Sequence, residues 1–181
     1  MSYPHFIAID ASSYEDTAYP IAIAWSLSDG TIKTTLIQPD DDWEEWDSAL
    51  EELHGINQET LYQRGETPWS VIRELENDLE QSYLATDDVD RCEQLLETLY
   101  ETCQRELNVE LGSYTADLFQ MENKQECRDQ LSDIRMSCDD RVTLMLHAWA
   151  RENNVNSPSD SNTDSDIDDP AERDDTDPSP Y

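Results

Sequence analysis

The start of the chain alternates apolar stretches with polar breaks in the way that short β-strands do. An apolar run from Phe6 to Ile9 ends on Asp10, and two further apolar segments cover residues 20–27 and 31–38. The intervening Ser-Asp-Gly tripeptide has the composition of a tight hairpin turn. This pattern predicts three strands in succession, the second and third forming an antiparallel hairpin.

Helical spacing of apolar residues dominates the rest of the chain. Thr67 and Pro68 form a typical helix start, with a capping hydroxyl followed by proline at the first helical position. The predicted elements are, in order, a helix at 67–81, a strand at 83–85, a helix at 89–104, a strand or loop at 107–114 and a helix at 139–151. An acidic segment without clear periodicity precedes the last helix.

The end of the chain has a different composition. From residue 152 onward Ser, Asp, Asn, Thr and Pro dominate and apolar residues nearly vanish. Such a segment cannot offset its ordering entropy by burial. We therefore expect one folded domain at residues 1–151 and a disordered acidic tail at 152–181.

The charge of the chain is strongly one-sided, with 43 acidic and 11 basic residues and a formal net charge of −32. Residues 152–181 hold ten acids and one arginine, a net of −9, which leaves −23 on residues 1–151. Such a body repels itself and repels phosphate. Two explanations are open: a high-salt cytoplasm that screens the repulsion, in keeping with two lysines against nine arginines, or an acidic surface that imitates nucleic acid.

Neither a membrane span nor a secretory leader is visible. No apolar run approaches the roughly 18 residues that a span requires, and no basic start precedes an apolar stretch near the first residue. We expect a cytoplasmic protein that does not bind membranes. The four cysteines are too far apart for a Cys-x-x-Cys zinc site, so free thiols are predicted.

Three features near the start carry a family resemblance: the apolar run that ends on Asp10, the segment 19–25, and the Leu-His-Gly-Ile turn at 53–56. In this order they resemble the DEDD-type 3′–5′ exonucleases of the ribonuclease H-like superfamily. The resemblance covers residues 5–151. It implies an α/β fold with a mixed sheet whose first three strands are antiparallel and whose faces are flanked by helices.

The first motif of that family is Asp-x-Glu, because side chains two apart on a strand point to the same face and can share two metal ions. Asp10 matches the aspartate, but Ser12 stands two residues later. Two alignments are open. Either Ser12 directly replaces the glutamate, or a Leu-Glu pair is missing after Asp10; the gap brings the following residues into better register.

The second motif falls at the strand-to-helix junction around Asp87, where some relatives place a metal-binding aspartate five residues later. That position holds Cys92. Asp87 itself remains a candidate metal ligand. Helix capping is the alternative role for Asp87 and Asp88.

The third motif of the family, His-x-x-x-x-Asp, aligns with residues 135–140. Arg135 then stands where the general base should be, and Asp140 where the final carboxylate should be. An arginine cannot accept a proton from water, although it can contact a substrate phosphate. The resemblance therefore implies Asp10 and Asp140 as catalytic residues, Arg135 as a substrate contact, and Asp10, Asp87 and Asp140 as metal ligands.

The function implied by the resemblance is Mg²⁺- or Mn²⁺-dependent removal of nucleotides from the 3′ end of single-stranded nucleic acid. With the first-motif glutamate and the base missing, we expect this activity to be weak or lost. Two alternatives stay open. One is a catalytically inactive binding or scaffold module of the same fold, with a protein partner; the other is an acidic protein that imitates nucleic acid.

Overall fold

A computed structural model describes residues 2–155 of the chain. Its strands are β1 (Ile7–Ala11), β2 (Pro20–Ser26), β3 (Ile32–Leu36), β4 (Tyr83–Thr86) and β5 (Glu110–Ser113). Its helices are α1 (Ser48–His54), α2 (Gln58–Arg64), α3 (Pro68–Asp78), α4 (Val89–Thr102), α5 (Met121–Leu131) and α6 (Cys138–Glu152). The part of the predicted tail from residue 156 onward lies outside the described residues.

The five strands form one mixed sheet made of two parts, and we call the line where these parts meet the seam. β1, β2 and β3 are a purely antiparallel meander, whereas β4 and β5 pair in parallel. A single parallel bridge between Phe6 and Ala85 joins the two parts, and the Ala85 N–H donates to the His5 carbonyl at 2.9 Å. The spatial order is thus β3-β2-β1-β4-β5, which confirms the predicted mixed sheet with three antiparallel strands first.

Alternation along β1 and β2 assigns each residue to one of two cores. Ile7 and Ile9 of β1 face α3 and α4, together with Ile23 and Trp25 of β2. Phe6, Ala8, Ala22 and Ala24 face α6 on the other side. Asp10 belongs to the same alternation as Phe6 and Ala8, so its side chain is directed toward the beginning of α6.

The helices predicted from spacing are present with small changes of boundary. Thr67 caps α3, its hydroxyl accepting from the Ser70 N–H, as the sequence predicts. The Leu-His-Gly-Ile turn is the end of α1, where Gly55 takes a positive φ of 69° that only glycine adopts without strain. Tyr19 stacks on Trp43 at a centroid distance of 5.3 Å. This contact fastens the acidic loop that follows β3, residues 40–45, to the body of the domain.

Three helices, α1, α2 and α5, were not predicted, and the sequence of α5 lacks an apolar face. α5 buries only Asn123 and Cys127. The N–H groups of the two residues just before it are bound from outside: the Glu152 carboxylate accepts from the Phe119 N–H at 2.7 Å and the Gln120 N–H at 2.9 Å. Glu152, the first residue assigned to the tail, is therefore part of the fold.

We predict that Glu152→Gln lowers the free energy of unfolding by about 1 kcal/mol at neutral pH, the usual loss for a helix cap. Burial raises the pKa of Glu152, but hydrogen bonds from Phe119, Asn123 and Gln120 outweigh it and hold the pKa below the ordinary value. A depressed pKa stabilises the fold above the unfolded value and ceases to do so as the pH falls through the folded value.

The difference between Glu152→Gln and the unmodified protein should therefore shrink below about pH 4. Urea unfolding at neutral and acidic pH measures it. Glu97→Gln, an exposed change in the middle of α4, is the matched control and should leave stability unchanged. An equal loss in both variants would show that charge alone, and not the cap, is responsible.

Candidate functional site

A cleft of about 280 Å³ opens at the edge of the sheet where β1 and β4 end. These two strands run parallel, so the residues at their carboxyl ends meet on the same side. Arg141, in the first turn of α6, forms part of another wall of the cleft. Its walls include Asp10, Tyr14, His54, Asp87, Met136 and Arg141.

Asp10 is the most deeply placed acid of the cleft, with 6% of its surface exposed. Its Oδ2 accepts a hydrogen bond from the Cys138 backbone N–H at 3.0 Å, so the carboxylate sits at the positive end of α6. Its Oδ1 lies 2.9 Å from Nη2 of Arg141. Burial and the adjacent Asp10 carboxylate raise the pKa of the Cys138 thiol well above its ordinary value, which leaves that thiol protonated.

Asp87 reaches the same place from the other strand. It follows the last residue of β4, and its Oδ2 lies 3.1 Å from Nη1 of Arg141. Its Oδ1 accepts a hydrogen bond from the Thr86 hydroxyl at 3.2 Å. Asp88, by contrast, caps α4 by accepting from the Arg91 N–H, so capping is the role of the second aspartate only.

Arg141 therefore joins both carboxylates. Each terminal nitrogen serves a different aspartate, and Nη2 also donates to the Ile9 carbonyl at 2.9 Å. Burial opposes the charged form, but Asp87 and Asp10 outweigh it and raise the pKa of Arg141 above its ordinary value. The Nε atom is buried and has no hydrogen-bond partner among the described residues. We call this set of residues, Asp10, Asp87 and Arg141, the arginine bridge.

Asp140 and Arg135 lie elsewhere, contrary to the expectation that they face Asp10. Both line a separate, wider cavity on the other side of α6. Asp140 accepts from the Ser137 hydroxyl at 2.9 Å, while Arg135 is exposed and paired with Asp133 at 3.1 Å. A helix turns by about 100° per residue, so neighbouring positions such as 140 and 141 point in different directions.

The predicted metal ligands Asp10, Asp87 and Asp140 are accordingly not brought together. Asp10 and Asp87 meet across the cleft, but the residue of α6 that joins them is Arg141. Within residues 2–155, no three His, Cys, Asp or Glu side chains converge in a way that could hold a metal ion. The donor set that the structure offers does not fit a pair of divalent cations.

Two other positions of the resemblance are also away from the cleft. Cys92 is buried in the core beneath α4, where burial raises its pKa to about 12. Ser12 is buried beside Tyr19, whose N–H donates to the Ser12 hydroxyl. Both side chains have structural roles.

Sequence reasoning missed Arg141, although a signal for it exists. Met136 and Arg141 both line the cleft and are five residues apart, which is the spacing of His-x-x-x-x-Asp. Aligning the third motif one residue later would have identified them. In that register methionine stands in the position of the base and arginine in the position of the last carboxylate.

Comparison with known proteins gives a match in structure alone. No family model matches the chain, and no curated protein is similar to it in sequence. Among solved structures, it is similar to E. coli Exonuclease I in complex with a dA16 oligonucleotide, with a TM-score of 0.60, 10% identity, and coverage of 84% of this chain and 41% of that one. The chain has the ribonuclease H-like fold.

Two further structures agree. The 3′-exonuclease that recognises the histone mRNA stem-loop has a TM-score of 0.60 at 13% identity, with coverage of 85% of this chain and 83% of that chain. Exonuclease I from Methylocaldum szegediense has a TM-score of 0.56 at 12% identity, covering 84% and 41%. The chain thus spans about two fifths of either Exonuclease I.

No helix in residues 2–155 is long and apolar enough to cross a membrane.

We predict that Arg141→Met lowers the free energy of unfolding by about 3–5 kcal/mol, because it leaves two poorly exposed carboxylates without a counter-charge. Adding Asp10→Asn and Asp87→Asn should restore much of the loss, since the three side chains form one unit. Urea unfolding at neutral pH measures both effects. Arg135→Met on the exposed pair is the control, and an equal loss there would contradict a special role for Arg141.

Proposed function

We propose that this protein uses the exonuclease fold as a binding module and that two-metal hydrolysis of 3′ ends is weak or lost in it. One observation carries the proposal: the two cleft carboxylates, Asp10 and Asp87, are already paired with Arg141. Two-metal phosphoryl chemistry needs those oxygens as ligands for cations that activate water and stabilise the leaving group.

The fit of Mg²⁺ or Mn²⁺ is poor for both charge and space. The guanidinium contacts Asp10 at 2.9 Å and Asp87 at 3.1 Å, and so stands between the two carboxylates. A divalent ion there would meet a fixed positive charge. Met136, in the position of the family's general base, has no group that accepts a proton from water at neutral pH.

The ligand that we propose for the cleft is the 3′ end of a single-stranded nucleic acid. Support comes from the fold, since E. coli Exonuclease I is bound to dA16 and the 3′-exonuclease of similar fold recognises a histone mRNA stem-loop. Tyr14 adds a local argument. It is 66% exposed beside the cleft, where an aromatic ring offers a face on which a base can stack.

The charge of the protein makes this binding unusual. Ordinary nucleic-acid binding weakens as salt rises, because lysines and arginines release counterions from phosphate. Here the formal net charge of the chain is −32. Arg91 and Arg141 donate their hydrogen bonds to oxygens of the protein itself. Salt should screen the repulsion more than it weakens any attraction. A high-salt setting remains a prediction that accords with this charge, and a cytoplasmic location remains a separate prediction.

We predict no turnover of single-stranded DNA or RNA with Mg²⁺ or Mn²⁺, measured by release of a 3′-terminal fluorescent nucleotide. Asp10→Ala is the matched control for contaminating nuclease. Turnover by the unmodified protein that Asp10→Ala abolishes would overturn the proposed loss of hydrolysis and place Asp10 in a working active site.

Binding has its own test by fluorescence anisotropy with labelled oligodeoxyadenylate and oligoadenylate. Affinity should stay level or increase between low and molar KCl, and Tyr14→Ala should weaken it. Absence of binding at every salt concentration would reject a nucleic-acid ligand. The alternative would then be an acidic protein that binds the basic groove of a partner, for which affinity toward a polylysine column that is lost in salt would be the first sign.

A further inference from the structure

We infer that Arg141 is a built-in replacement for a divalent cation, and that its guanidinium both supplies a positive charge in the place of the ion and excludes it. The inference concerns how the cleft is held together and goes beyond the proposed function. It does not depend on whether the cleft binds nucleic acid.

The first step is charge balance. Asp10 and Asp87 have 5% and 15% of their side chains exposed, so water solvates both carboxylates poorly. Buried carboxylates require a partner cation or a proton. Arg141, itself 17% exposed, provides one positive charge shared between them.

The second step is the kind of atom around the guanidinium. Its terminal nitrogens donate to three oxygens from two strands: Oδ1 of Asp10, the carbonyl of Ile9, and Oδ2 of Asp87. Carboxylate and carbonyl oxygens are the ligands that Mg²⁺ and Mn²⁺ prefer. The guanidinium thus fills a set of oxygens suited to a hard cation.

The third step is the position of Arg141 relative to the two carboxylates. Arg141 lies in the first turns of α6, and its side chain enters the cleft that Asp10 and Asp87 border. A shorter acidic side chain at this position would withdraw the positive charge and add a carboxylate above the other two. R141D should therefore turn the arginine bridge into a divalent-cation site.

The test is Mn²⁺ binding by the full-length protein, followed by electron paramagnetic resonance of free Mn²⁺ and by the thermal midpoint. R141D should bind Mn²⁺ at least about tenfold more tightly than the unmodified protein, a change typical of gaining or losing a metal-site residue. Its midpoint should rise with Mn²⁺ concentration, because a ligand that binds only the folded state stabilises it. The unmodified protein should show neither effect.

Two variants make the result specific. R135D, at an exposed position shortly before the same helix, changes the net charge equally, and it should bind Mn²⁺ no better than the unmodified protein. R141D combined with D10N should lose most of the gain, because one of the proposed ligands is removed.

Two results would overturn the inference: Mn²⁺ binding by the unmodified protein as tight as that of R141D, or a folded R141D that does not bind. If R141D is unfolded, recovery of its fold on addition of Mn²⁺ supports the inference. If it stays unfolded with Mn²⁺, R141N decides, since it removes the charge without adding a carboxylate; a folded R141N that binds no better than the unmodified protein rejects the inference. Metal binding and turnover are separate readouts: a folded R141D that does not bind Mn²⁺ overturns this inference and leaves the proposed function standing, whereas metal-dependent turnover by the unmodified protein overturns the proposed function.

Discussion

The arrangement of the cleft depends on a shared positive charge. Asp10 comes from β1 and Asp87 from the end of β4, and parallel alignment of these strands brings two carboxylates to one edge of the sheet. Alone they would repel one another in a place that water reaches poorly. Arg141 solves this by reaching in from α6, and Asp10 in return accepts the Cys138 N–H at the start of that helix. The ends of β1 and β4 and the start of α6 are thus held together by the same set of ionic contacts and hydrogen bonds.

Much of the fold could be predicted from patterns of short range. The alternation through β1 and β2, the turn between β2 and β3, and the capped start of α3 each follow from a few adjacent residues. α5 could not be found in this way, because it has little apolar surface and is capped by Glu152, a residue distant in sequence. Propensity and periodicity carry no information about such a cap.

The candidate site was predictable only in part, for a reason of helix geometry. Asp10 and Asp87 were identified because each ends a strand that the pattern reveals. The third position depends on which residue of α6 faces inward, and an error of one residue rotates the side chain by about 100°. The family resemblance implies a carboxylate in this place, and the motif spacing falls on Asp140 and not on its neighbour Arg141. A search for acidic residues alone does not find an arginine that stands in the place of the bound metal ion.

Scarcity of positive charge shapes what this surface can do. The chain has 11 basic residues against 43 acidic ones. In the cleft, Arg141 is used by the two aspartates, and Arg91 donates to the carbonyls of Ser13 and Glu15 to hold the loop after β1. The arginines nearest the cleft thus serve the protein's own structure and leave few donors for the proposed ligand.

The seam between the two parts of the sheet has a mechanical consequence. β1 and β4 are joined by one bridge, Phe6 to Ala85, whereas β1 and β2 are paired along their whole length. Few backbone hydrogen bonds join the two parts along this line. Asp10 and Asp87 lie on opposite sides of it, and Arg141 binds both. A side chain therefore links the two parts of the sheet at the end where the cleft opens and where the backbone contributes little pairing.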